Sequence, residues 1–362
     1  MKAPHRLLLL SVAAATSVAV TVAVAGEPAV APLPRLLSDT GLYERGTTQV
    51  RADVLAFSPQ YPLWSDGTRK RRWIRLPAGA AIDAAQPDAW QFPVGTRLWK
   101  EFGTGSRIET RMIERVADGS WRFAAYVWNA DGTDATLLDN GALLKLADAP
   151  GGRYIVPSRN DCLACHEGAA VPVLGFSALQ LSPDRDPLAP HADAPRSTFA
   201  DLRSLVAQGR LANLPAALLA TPPRIAARTK TERAALGYLH ANCGHCHNAS
   251  GALDGLELTL AQSAVGGADS AEQTLRSLLG HTSRFRPQDA ASAQRIAADG
   301  SGAHMLTLRM KSDSPLVRMP PLGVQVVDRA GVALVEDWIR EAVAASGQRM
   351  PQPQQLAKGE PR

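Results

Sequence analysis

The sequence predicts an α+β multidomain chain, an antiparallel β-rich N-terminal domain followed by a mostly helical region, and three observations carry that expectation. Six of the seven tryptophans of the 362-residue chain fall between Trp64 and Trp128, within short runs of alternating, β-branched and aromatic residues. Turn chemistry separates those runs at Asp66-Gly67, Pro77-Ala78-Gly79, Gly103 to Gly105, Asp118-Gly119 and Asp131-Gly132, the punctuation of an antiparallel sheet. Beyond Pro157, apolar residues recur at the 3.6-residue period of amphipathic helices.

In chain order, residues 1–25 read as a secretory signal peptide. Lys2, His5 and Arg6 open it, an apolar stretch from Leu7 to Val24 follows, and Ala23-Val24-Ala25 supplies the small residues of a cleavage site. Left uncleaved, Leu7 to Ala25 approaches the roughly 20 residues that cross a bilayer, so membrane association is expected only in that case. Either way the remainder is expected in the periplasm. Residues 26–40 read as a linker, and 41–157 as the β-rich domain, which contains no Cys or His. Strands are expected from Arg72 to Leu76, Thr96 to Phe102, Ile108 to Arg115 and Trp121 to Trp128. Arg69-Lys70-Arg71-Arg72 is the one dense basic run, and with Trp73 and Ile74 behind it reads as a strand end with a solvated face. Helices are expected from Ser197 to Gln208, from Thr231 to Asn242, and after Asp328, an N-cap ahead of Val332, Val335, Trp338 and Ile339. Residues 346–362, rich in Pro and Gln, read as a disordered tail. The formal charge of +5 includes Lys2 and Arg6 of the leader and gives no argument for a nucleic-acid partner.

All four cysteines lie in two CxxCH motifs, Cys162-Leu163-Ala164-Cys165-His166 and Cys243-Gly244-His245-Cys246-His247. This spacing lets two thiols add to the two vinyl groups of one porphyrin, while the adjacent His sits beneath the iron. Two copies that exhaust the cysteines of an exported chain point to two covalently bound haem c groups. Cys162, Cys165, Cys243 and Cys246 would attach them, and His166 and His247 would be the proximal ligands. A zinc ribbon separates its CxxC pairs by about 15–20 residues, far fewer than lie between Cys165 and Cys243. Neither zinc, a redox dithiol nor a disulfide calls for the two histidines.

The helix entering the second motif, the terminal helix and the loop Arg318-Met319-Pro320-Pro321-Leu322-Gly323 resemble the class I cytochrome c domain. That resemblance assigns 226–345 to such a domain and implies Met319 as the sixth ligand of the iron on His247. Met305 and Met310 are its rivals, in a segment where Met ordinarily fills a core. A His/Met pair raises the potential of the iron and closes its coordination sphere. Residues 158–225 form the first haem-binding region, whose sixth ligand stays open between Met112, His191, His240, His245 and none.

The ordered pieces Tyr61-Pro62-Leu63-Trp64-Ser65-Asp66-Gly67, Arg72-Trp73-Ile74, Phe92-Pro93-Val94-Gly95-Thr96, Glu109-Thr110-Arg111, Pro157-Ser158-Arg159, Leu174-Gly175-Phe176 and Tyr238-Leu239-His240-Ala241-Asn242 resemble a family of secreted di-haem c-type cytochromes that begin with a Trp-rich domain. The resemblance covers nearly all of the mature chain. It implies a di-haem cytochrome working as one unit and supplies no particular reaction. The leading expectation is therefore electron transfer between a periplasmic donor and an acceptor, with redox proteins as partners. The rival is a peroxidase- or oxygenase-like enzyme with an open position at the first haem.

Overall fold

The computed structural model describes residues 31–287, 293–300 and 303–347. The expected leader, residues 26–30 of the linker and the tail beyond 347 lie outside them. Ten strands occur among the described residues: β1 (Leu55–Ala56), β2 (Arg69–Arg75), β3 (Ile82–Asp83), β4 (Arg97–Gly103), β5 (Arg107–Arg115), β6 (Trp121–Trp128), β7 (Ala135–Leu138), β8 (Ala142–Lys145), β9 (Arg153–Val156) and β10 (Leu211–Ala212). Six of them form one antiparallel sheet in the order β1-β2-β4-β5-β6-β7, while β8 pairs with β9 and β3 with β10. The helices are α1 (Arg159–His166), α2 (Leu202–Ala207), α3 (Ala217–Ala220), α4 (Lys230–Asn242), α5 (Gly267–Leu278), α6 (Met305–Met310) and α7 (Arg329–Gly347). None of the described helices is long and apolar enough to cross a membrane.

The region after β9 is not mostly helical, contrary to expectation. Residues 167–201 carry no helix, because Pro172, Pro183, Pro187, Pro190 and Pro195 remove backbone donors and block helical continuation. The helix expected from Ser197 starts only after Asp201, whose carboxylate caps it by accepting from Ser204 N at 2.8 Å. At the other end, α7 runs on to Gly347, so Ser346 and Gly347 belong to it rather than to a tail.

Alternation gives the main sheet two distinct faces. One carries the rung Trp73, Trp99, Met112 and Ala124, aligned across β2, β4, β5 and β6. Leu37, Leu42, Tyr43 and Val54 close over it as a core. The opposite face carries the rung Ile74, Leu98, Ile113 and Phe123. There Ile74 and Leu98 join Phe176, Leu179, Leu202, Leu236, Leu239 and Trp338 in one hydrophobic cluster. The strand region and the later helices therefore share a core, and from Pro32 onward the chain is one compact unit.

The basic run does open a strand, and Arg69 and Arg71 are exposed as expected, but it is not solvated throughout. Within β2 its side chains alternate between the two faces, and Arg72 retains only 7% of its side-chain exposure.

The segment from Tyr61 to Gly67 latches the sheet to the helices. The ring of Tyr61 lies where a side chain on Gly237 of α4 would be, and its hydroxyl meets Asp186 at 3.1 Å. Trp64 donates its backbone N–H to Asn242 Oδ1 (2.7 Å) and its indole N–H to the Val326 carbonyl (2.9 Å). The Asp66 carboxylate accepts from the backbone N–H groups of Gln325 and Val326, each at 2.9 Å. At the next residue of α4, the ring of Tyr238 fills the space over Gly331 of α7. Asp328 pins that ring by its hydroxyl and also caps α7 by accepting from Gly331 N at 3.0 Å. Gly331→Ala gains about 1 kcal/mol of helix propensity, but its methyl group would lie inside a ring that cannot move aside. Urea unfolding of this variant is expected to show a net loss of about 1–3 kcal/mol, the usual cost of overpacking; unchanged stability would mean that α4 and α7 slide freely.

Candidate functional site

The first CxxCH motif is the body of α1. Ser158 and Asp161 form a reciprocal capping box, with Ser158 N to Asp161 Oδ2 at 2.9 Å and Asp161 N to Ser158 Oγ at 3.2 Å. Cys162 and Cys165, three apart, share a helix face, and His166 ends the helix. His166 Nδ1 lies 2.5 Å from the carbonyl oxygen of Pro172. A carbonyl only accepts, so Nδ1 carries the proton and Nε2 is left with its lone pair. Burial pushes the imidazole down to about 4, so the ring is neutral at pH 7. It leans on Phe123 of β6, ring centroids 5.1 Å apart, which sets α1 on the sheet face opposite Met112.

The second motif follows α4 without a break. Cys243 N donates to the Leu239 carbonyl at 2.8 Å, and His247 N reaches back to the Cys243 carbonyl at 2.8 Å. That single turn gathers Cys243, Cys246 and His247. Burial, then the charge of Arg309, lowers His247 to about 4, and its Nδ1 is buried with no hydrogen-bond partner. All four cysteines are free thiols. Burial pushes Cys162 up to about 11 and Cys243 up to about 12, and raises Cys165 and Cys246. Among the described residues no three His, Cys, Asp or Glu side chains converge as a metal-chelating cluster.

The two motifs cross. A side chain on Gly168 would meet the His245 carbonyl at 2.7 Å. Asn248 clamps the crossing by donating Nδ2 to the carbonyls of Gly168 (2.8 Å) and Gly244 (2.9 Å), with that of His245 at 3.2 Å. Cys246 Sγ lies 4.0 Å from the Ala164 carbonyl. Sequence reasoning missed Gly168 and Asn248, because nothing local marks either as a crossing point.

The expected sixth-ligand candidates now have addresses. Met319 and Cys243 line one cleft with Tyr238, Asn242 and Trp64, and Met310 shares it, whereas Met305 is 2% exposed in the core. Met319 N is held by the Arg309 carbonyl at 3.0 Å. Met112 points into the tryptophan core, away from His166. His191 Nε2 bonds the Asp328 carboxylate at 2.9 Å and its ring stacks on Trp64. His240 Nδ1 accepts from Gln262 N at 3.0 Å, so its Nε2 carries the proton. His245 is buried with an unpartnered Nδ1, near enough to His166 to lower that imidazole further.

Sequence reasoning also missed Lys100. Across β2, β4 and β5 the register sets Arg72, Lys100 and Arg111 directly opposite one another on the α1 face. Like charges so placed repel. Arg111 is matched by Glu109 at 2.5 Å, and Arg72 has Asp193 at 3.6 Å. Lys100 Nζ lies 4.9 Å from the centre of the Phe102 ring and makes no hydrogen bond or ion pair among the described residues. Burial, then its cationic neighbours, holds it well below the usual lysine value. The signal was present in Leu98-Trp99-Lys100-Glu101-Phe102, where alternation puts Lys100 on the side of two apolar residues.

Asn248→Ala is expected to remove about 1–3 kcal/mol, the cost of stranding buried carbonyls, and to speed hydrogen exchange around Gly168 and Gly244 together. Exchange that quickens at only one of them would deny the clamp. In comparison with known proteins, no family model, no curated protein and no solved structure matches this chain.

Proposed function

We propose that this chain is a periplasmic di-haem c-type cytochrome that carries electrons between partner proteins, as its resemblance to that family implies. The observation that carries the reading is the pair of crossed cysteine turns. Each offers two protonated thiols and a neutral imidazole, and in the first the Pro172 carbonyl fixes the tautomer that leaves Nε2 free. When bound, haem c supplies a reversible one-electron couple.

The residues present fit such a group. Cys162, Cys165, Cys243 and Cys246 would attach it twice, with His166 and His247 as proximal ligands. His247, whose Nδ1 is buried and unpartnered, would offer its Nε2 to the iron. Met319, sharing a cleft with Cys243, would supply a thioether ligand to the iron on that side. The unpaired Lys100, beside Cys165, would meet a carboxylate of the first haem, ending the repulsion within its rung. The crossing at Gly168 favours exchange between the two sites.

A second reading, a di-haem enzyme with an open position over His166, draws on the same geometry in that Met112 faces away and His191 and His240 each commit a ring nitrogen elsewhere, which leaves His245 as the one candidate near His166. Absorption and EPR spectra separate the two. Two low-spin haems with no peroxide turnover mark the carrier; a high-spin haem that binds cyanide and turns over peroxide marks the enzyme.

Intact mass spectrometry of the exported protein is expected to give the polypeptide plus two haems, and a denaturing gel to stain for haem; a chain without haem mass ends the proposal. Met319→Leu should lower one midpoint potential by on the order of 0.1 V, within the roughly 0.8 V that axial ligands and surroundings span, with both haems retained. Lys100→Gln should lower the other midpoint, because a lost positive charge disfavours the added electron. If both variants move the same haem, Lys100 does not belong to the first site.

A further inference from the structure

Beside the first half of β2, which β1 leaves unpaired, lies a cavity of about 480 Å³ that neither cysteine motif lines. Its walls include Phe57, Trp64 and Phe199, and its cations include Lys70, Arg72 and Arg196. Arg72 is the telling member. Its side chain is 93% buried by the 7% exposure that remains, yet its guanidinium makes no hydrogen bond among the described residues and has only Asp193, 3.6 Å away, as an ion-pair partner. Asp193 is itself engaged, accepting the Ser58 hydroxyl at 2.6 Å. Lys70 spends one of its three donors on the Leu63 carbonyl at 2.8 Å. A guanidinium stripped of most of its water gains from an acceptor that reaches its free donors, and here the space beside it is large and aromatic-walled.

We propose that this cavity binds a small organic acid, its carboxylate held by Arg72 and Lys70 and its planar apolar body against Trp64, Phe57 and Phe199. A paired guanidinium donor is matched to a carboxylate. The volume lies within the 300–1,000 Å³ typical of small-molecule sites, which combine apolar walls with a few convergent polar groups. The haem propionates offer the same chemistry, but a free acid fits better, since the lining holds none of the CxxCH residues and the aromatic walls call for more than a carboxylate. Trp64 is also a wall of the cleft that Cys243 and Met319 line, so the bound acid would be one indole away from the second motif.

The full-length exported protein is titrated by calorimetry with benzoate and cinnamate, and with benzamide as the uncharged control. Saturable binding of the acids and not of the amide is expected. It should weaken by about tenfold or more in Arg72→Gln, as loss of a charge-assisted hydrogen bond of about 1.5–3 kcal/mol requires. Lys70→Met, at a less buried position, repeats the test should Arg72→Gln fail to fold. Equal binding of acid and amide, acid binding that survives both substitutions, or no saturable binding at all overturns the proposal. If the acids do not bind while Arg72→Gln or Lys70→Met shifts a haem midpoint, the cations serve the propionates and the cavity is not a ligand site. The binding arm is read without reference to haem content, so its failure and that of the di-haem reading are distinguishable.

Discussion

Two stretches of backbone meet at Gly168 and His245 with no room for a side chain between them, and the candidate site depends on that approach. α1 holds one cysteine turn on the sheet, and α4 delivers the other from the helical layer. The contact of Gly168 with the second turn, held by the amide of Asn248, joins the two sets of thiols and imidazoles in one region. A bulkier residue would part the turns even with every cysteine and histidine in place.

The sheet beneath this crossing is built to two different rules. On the tryptophan face, Trp73, Trp99 and Met112 stack as an ordinary apolar rung. On the other face, one register step away, Arg72, Lys100 and Arg111 stand together, an arrangement that a purely structural sheet would avoid. Its outer members find carboxylates and its central one does not. Where local choice and global fold disagree in this way, function is the usual reason. Here the disagreement sits beside the first cysteine turn at one end and the β2 cavity at the other.

Much of this was legible in the sequence, and physics explains which part. Strands β4, β5 and β6 follow from alternation, and α4 and α7 from periodicity with their caps, because those signals are local. The CxxCH turns are equally local, since their spacing answers to one covalent requirement. The Arg69 to Arg72 run was read only half right: Arg69 and Arg71 are exposed as expected, but a strand sends successive side chains to opposite sides, and that buries Arg72. The helix expected from Ser197 lost its first turn to the Pro-rich approach and the Asp201 cap. Gly168, Asn248 and the partners of Trp64 were out of reach, since each draws its meaning from residues distant along the chain.

That distance also shapes how the molecule comes to be. Trp64 finds its acceptors 178 and 262 positions downstream, at Asn242 and Val326, and Tyr61 its slot at Gly237. The strand layer is therefore synthesised first, yet cannot close its inner face until nearly the whole polypeptide has followed. Closing such long loops is slow, and until they close the burial that raises the four thiols is incomplete. Maturation is a race in which assembly and any modification of the cysteines must both finish before oxidation or proteolysis reaches the half-built chain.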